Sequence, residues 1–147
     1  MQTFENTVTI QRPAEEVFAF LADFENIPTW NYAIEETRKA SAGPVGVGTR
    51  YRQTRSVPRK SVEDFEVIVF QPASRLAIRG QIGSFQAKIS YVLEATAGAT
   101  RIVNNVELDP SPAVLRLLAP LATSRIKAAV AKNLDELRLV LEGGRPV

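Results

Sequence analysis

Between residues 32 and 108 the chain is cut at short intervals by clusters of turn residues: "GPVGVG" at 43–48, "SVPRK" at 56–60, "QPAS" at 71–74, "GQIGS" at 80–84 and "TAGAT" at 96–100. The stretches between them are short runs in which apolar and polar side chains alternate. They predict six strands joined as a continuous antiparallel meander. The alternation is cleanest in "FQAKISYVLEA", where Phe85, Ala87, Ile89, Tyr91 and Leu93 share one face and Gln86, Lys88, Ser90 and Glu94 the other. In "SVEDFEVIVF" (61–70) apolar residues fall on both faces, so its parity is ambiguous from sequence: a bulge would account for it, with Phe65 and Val67 expected inward.

The flanks supply what such a sheet needs to bury its apolar face. Residues 3–11, "TFENTVTIQ", read as a further half-buried strand. Pro13 suits a first helical turn, and Val17, Phe20, Leu21 and Phe24 follow at helical spacing. Pro28 interrupts that pattern, so "ENIPTW" is a turn or a second short helix. At the other end one long helix is expected over about 112–142, started by Pro112 and stopped by Gly143-Gly144, with Pro120 either kinking or splitting it. Leu115, Ala119, Ala122, Ile126, Val130, Leu137 and Leu141 form its apolar stripe. The whole reads as a single α+β domain over residues 1–147, a curved sheet closed over one amphipathic helix. The space left between such layers is where small ligands bind.

The chain has no cysteine and no histidine. Thiolate nucleophiles, imidazole bases and the usual His- or Cys-ligated metal sites are therefore excluded, and any catalysis must rest on carboxylates, Tyr, Lys, Arg or water. No metal or cofactor is implied. No apolar run reaches the roughly 20 residues of a membrane span, and the N-terminus lacks the pattern of a secretory signal, so a cytoplasmic protein is expected. Net charge is only +2, which does not make a nucleic-acid footprint.

Five segments, "RPAEEVFAFLADFENIPTW", "GPVGVGTRYRQT", "FEVIVFQPASRLAIR", "YVLEATAGATRIVNNVEL" and "KNLDELRLVLE", in this order and spacing, resemble the START-like (SRPBCC) superfamily, in its polyketide cyclase/dehydrase branch. The resemblance implies a helix-grip fold: a seven-stranded curved antiparallel sheet wrapped on a long C-terminal helix, with two short helices between strands 1 and 2. It also implies a hydrophobic cavity that takes a lipid, an isoprenoid or an aromatic polyketide-like molecule. The alternatives are a cyclase or dehydratase acting in the same cavity, and a lipid-transfer or protein-partner module. Binding rather than catalysis is the first expectation, in a monomer or a homodimer.

The cavity wall expected from strand parity and helix periodicity comprises Tyr51, Phe65, Val67, Ile78, Phe85, Ile89, Leu93, Val106, Ile126, Val130 and Leu137. Trp30 reads as a wedge that packs the second short helix on the sheet, a role compatible with lining the cavity mouth. The polar positions on inward faces are the informative ones, because a buried polar group needs a partner. Asn104 and Gln53 are amides that could orient a ligand carbonyl or hydroxyl. Tyr91 is a core residue with a hydroxyl to spare, and Asn133 a structural hydrogen bonder. Arg55 continues the inward face to the strand end, either as a cavity-wall residue that helps position a ligand carbonyl or as a side chain that snorkels to solvent at the rim. If Phe65 points inward then so does Glu63, which would make it a buried acid, but a solvated strand edge is the ordinary expectation for Glu63, Asp64 and Glu66 alike. The basic runs within 50–60 and 112–134 read as solvated faces balanced by Glu35, Glu36 and the acids beyond residue 134.

Overall fold

The computed structural model describes residues 2–83, 85–110 and 119–143. Strand β1 (Gln2–Ile10) leads into helix α1 (Ala14–Ala22), a 3-10 turn (Phe24–Asn26) and the one-turn helix α2 (Ile27–Trp30). The meander follows as β2 (Ile34–Lys39), β3 (Arg50–Arg55), β4 (Ser61–Gln71), β5 (Arg75–Ile82), β6 (Phe85–Thr96) and β7 (Ala99–Pro110). Helix α3 is described over Ala119–Leu141. The expected start at Pro112, the stripe residue Leu115, Arg116 and Gly144 lie outside the described residues. Pro120 falls in the first described turn of α3.

The strands form one seven-stranded sheet in the order β1-β7-β6-β5-β4-β3-β2, every pair antiparallel. The fold is the helix grip. The meander is held in register by its turns. Ala97 and Gly98 both have positive φ (43° and 82°), the geometry of a two-residue hairpin whose twist matches that of the flanking strands. Glycine also ends α3, where Gly143 takes φ 75° and its N–H bonds to the Val140 carbonyl at 3.2 Å.

The ambiguous strand β4 contains such a bulge. Val67 pairs with Ile78, but Val69 pairs with Ala77, so Ile68 is the extra residue. Glu63, Phe65 and Val67 point inward before it and Phe70 after it, where Phe70 meets Phe18 edge-on at 5.3 Å between ring centroids. Both faces look apolar in sequence because the strand changes parity midway.

Two apolar clusters fill the inside. The larger gathers Ile10, Val17, Leu21, Trp30, Val67 and Leu137 around the α1 end of the sheet. Within it Tyr51 stacks on Phe65 at 5.1 Å, and Phe24 meets both rings edge-on. The smaller cluster joins Phe4, Phe85, Ala87, Val106 and Leu108, with Ala122 and Ile126 of α3 packed on it. Helix α3 lies along β1 and touches α2. Its C-terminal end is tied to the β1–α1 turn: Gln11 N–H donates to Glu142 Oε2 at 2.8 Å, and Arg12 Nη2 to the Glu142 carbonyl at 3.1 Å.

Candidate functional site

The pairing registers bring the ends of β3, β5 and β7 and the starts of β2, β4 and β6 to one end of the sheet. A buried polar cluster stands there on the inner face. Register places Gln53 opposite Glu63 and Arg55 opposite Ser61. Glu63, expected at a solvated edge, is instead only 2% exposed. Its Oε2 accepts from Arg55 Nε at 2.7 Å and from the Gly83 N–H at 2.8 Å. Its Oε1 accepts from Arg55 Nη2 at 3.1 Å and from Gln53 Nε2 at 3.1 Å. Thr37 Oγ1 donates to Gln53 Oε1 at 3.4 Å.

Arg55 therefore does not snorkel to solvent. A carboxylate beyond the β3–β4 turn holds its guanidinium in a two-point fork, with the side chain 12% exposed. Arg55 Nη1 has no partner among the described residues and is not one of the buried unpartnered atoms, so it is left as a water-accessible donor edge of the pair. Gln53 spends both ends of its amide inside the cluster, so it positions the ion pair and does not present a free amide beside Asn104. Thr37 and Gly83 were not singled out from sequence. A threonine on an edge strand carries no signal, and a backbone N–H is invisible in a sequence.

The second polar locus lies where the apolar clusters meet. Asn104 is wholly buried on β7, between Ile102 of the larger cluster and Val106 of the smaller. Its Nδ2 donates to the Ser90 carbonyl at 3.1 Å, while its Oδ1 is buried with no partner. Tyr91, paired across the strands with Asn104, is buried, and burial pushes its phenol well above the ordinary tyrosine range. Its hydroxyl has no partner among the described residues. On the helix side, Thr123 Oγ1 is buried and unpartnered, and Asn133 is buried, though none of its polar atoms is among the buried unpartnered ones.

The remaining expected wall residues all lie on this interior. Trp30, Tyr51, Phe65, Val67, Ile78, Leu93 and Leu137 are buried in the larger cluster, and Phe85 and Val106 in the smaller. Ile89, Ile126 and Val130 are only half-buried. Burial pushes the Tyr51 phenol up to about 12, with the carboxylates of Asp23 and Glu25 adding to the effect.

The outer face is different in kind. A groove of about 490 Å³ runs past Ala40, Arg50, Arg52, Asp64, Glu66 and Arg79. Exposed cross-strand ion pairs make its floor, Arg52–Asp64 at 2.9 Å and Arg79–Glu66 at 3.0 Å. Such pairs contribute little in water, and none of the unpartnered buried groups lies there. Apart from Arg55, the basic residues of the 50–60 run are exposed, with Lys60 3.6 Å from Glu35. Arg125, Lys127 and Lys132 are exposed on α3, and Lys132 sits 5.8 Å over the Tyr32 ring. Among the described residues no group of three acidic side chains could hold a metal ion, and no helix is long and apolar enough to cross a membrane.

The family described as polyketide cyclase/dehydrase and lipid transport matches residues 1–142. An uncharacterized Mycobacterium tuberculosis protein, Rv2574, is 32% identical over a 107-residue alignment that covers 67% of this chain and 60% of that relative. The chain thus spans about 60% of the length of the curated relative it matches. Among solved structures, TTHA0849 from Thermus thermophilus superposes with a TM-score of 0.78 at 18% identity, covering 99% of this chain and 100% of that one. The ZhuI aromatase/cyclase of Streptomyces sp. R1128 superposes with a TM-score of 0.76 at 16% identity, covering 99% of each chain.

Proposed function

Because the chain belongs to the polyketide cyclase/dehydrase and lipid transport family, we propose that it binds a small hydrophobic or amphipathic molecule between the inner face of the sheet and α3. One observation carries this reading. Ile89 is inward-facing on β6, flanked by Ile78 of β5 and Val106 of β7, which are 8% and 1% exposed. A residue so placed in a filled core would be as buried as its neighbours. Ile89 is half-buried, as are Ile126 and Val130, which pack on the same cluster from α3. Apolar side chains open on both layers of one interior are what a site for an apolar ligand needs.

Native mass spectrometry of the purified protein, repeated after denaturation, tests the reading. Extra mass lost on denaturation is the expected result and would identify the ligand class. An unadorned mass, with no thermal shift across a panel of fatty acids, isoprenoids and polycyclic phenols, would overturn it.

A reaction on the bound molecule is the second reading, favoured by the free donor edge of Arg55. A fixed N–H donor stabilises negative charge developing on a carbonyl oxygen, and ZhuI is named an aromatase/cyclase. This reading requires that a poly-β-keto analogue be converted as well as retained. Retention without conversion would leave binding as the function.

A further inference from the structure

The orphan oxygen of Asn104 narrows the class of ligand, on the premise that the interior binds one. Which atom of the amide is the oxygen follows from its surroundings. The Ser90 carbonyl can only accept, so the amide atom 3.1 Å from it must be the NH2. The other atom is therefore an acceptor, fully buried and unpartnered. No donor nearby is aimed at it. Asn6, opposite Asn104 on β1, commits its Nδ2 to the Lys127 carbonyl at 3.2 Å, and the Tyr91 hydroxyl on the other side makes no hydrogen bond among the described residues. A buried acceptor without a donor is costly and rare in a finished core. Here it stands at the junction of the two apolar clusters, and Ile89 and Val130, both half-buried, pack against each of them.

We propose that Asn104 Oδ1 is the polar anchor of the cavity and selects a hydrophobic ligand that carries a hydroxyl, a phenol or alcohol whose O–H it accepts. The Tyr91 phenol, kept protonated by its burial, is placed beside the anchor and can donate to the same ligand oxygen. The unpartnered Thr123 Oγ1 on α3 gives the helix side a hydroxyl as well. The class so defined is a hydroxylated apolar molecule. Fully deoxygenated chains and ethers lack the hydrogen that Asn104 needs.

A matched pair of probes tests this: 2-naphthol, which donates, and 2-methoxynaphthalene, which does not, titrated by calorimetry into the full chain. In water the naphthol loses more hydration on entering, so an apolar cavity without the anchor would favour the ether. The expected result is that naphthol binds tighter by about tenfold or more, because the ether leaves the acceptor unsatisfied. In Asn104→Leu that preference should vanish while the ether still binds. Equal affinities in the wild-type protein, as when a permanent water already fills the donor's place, would overturn the proposal. So would a preference that survives Asn104→Leu. If that variant does not fold, the wild-type ratio decides alone. Failure of both probes, together with the unadorned native mass above, would remove the binding reading itself and this inference with it.

Discussion

Removing the Glu63 carboxylate should unfold this protein more readily than almost any other single polar change. The carboxylate is 2% exposed and accepts four hydrogen bonds, from Arg55 Nε and Nη2, Gln53 Nε2 and Gly83 N–H. Both oxygens face donors only. Glu63→Gln keeps the shape, but whichever way the new amide turns, its NH2 faces an Arg55 N–H, and the one acceptor its neighbours can offer is a flipped Gln53 amide. It also leaves the Arg55 guanidinium in the wall without its counter-charge. Breaking a buried pair from one side costs about 3–5 kcal/mol, which for a chain of this length is a fall in Tm of roughly 10–15 °C. Replacing both partners, Glu63→Leu with Arg55→Met, removes two desolvation penalties together and should recover most of that loss. Urea titrations of wild type, Glu63→Leu, Arg55→Met and the double variant close the cycle, with Glu63→Gln measured beside them. The reasoning is refuted if Glu63→Gln stays within about 1 kcal/mol of wild type, or if the double variant is no more stable than the single.

Two further outcomes follow from other parts of the interior. Gly80 pairs with Phe65, and a Cβ built on it would press on the Asp64 carbonyl oxygen and come within 2.5 Å of Phe65 Cβ and 2.7 Å of Phe65 Cα. Gly80→Ala should therefore destabilise by about 1–3 kcal/mol, and an unchanged denaturation midpoint would show that β4 and β5 part without cost. Burial holds the Tyr51 phenol up to about 12 and pushes Tyr91 upward as well. Above pH 10 the folded state thus keeps protons that the unfolded state releases. The stability these groups lend is full below pH 10 and is lost as pH rises toward the folded-state values. Tyrosinate absorbance of two of the three tyrosines should then rise together with loss of the far-ultraviolet dichroism. Ionisation of all three ahead of unfolding would contradict the burial.

What the sequence made legible depends on how each signal is encoded. Face assignment survives in β6 because "FQAKISYVLEA" alternates without a fault, and β7 carries Ile102, Asn104, Val106 and Leu108 inward for the same reason. Strand β4 was ambiguous because the bulge at Ile68 reverses its parity, and composition does not locate a bulge. Glu63 illustrates the harder limit. A run of three carboxylates within four residues speaks for solvent, and only shared parity with Phe65 speaks against it. Its partner Arg55 lies eight residues away across a turn whose register no local rule sets. The fourth donor, the Gly83 N–H, comes from a different hairpin. Trp30 was legible because a large indole beside Pro28 on a one-turn helix has few places to go other than inward, and it is 8% exposed in the larger cluster.

The two polar loci make complementary demands on whatever occupies the interior. An arginine alone in an apolar wall would attract anions and would be costly to desolvate. Glu63 cancels that charge, so what remains at Arg55 Nη1 is directional donor capacity with little net field. On the proposed reading such an edge favours a neutral carbonyl over a carboxylate, whose own desolvation it does not offset. At the cluster junction Asn104 offers the opposite, an acceptor with no hydrogen of its own to give. A ligand with a hydroxyl at one position and a carbonyl at the other satisfies both without introducing charge. Turned end for end, it would set acceptor against acceptor at Asn104, while at Arg55 the hydroxyl oxygen could still accept. Orientation would then be selected at the Asn104 end, leaving affinity to the apolar wall between the two loci.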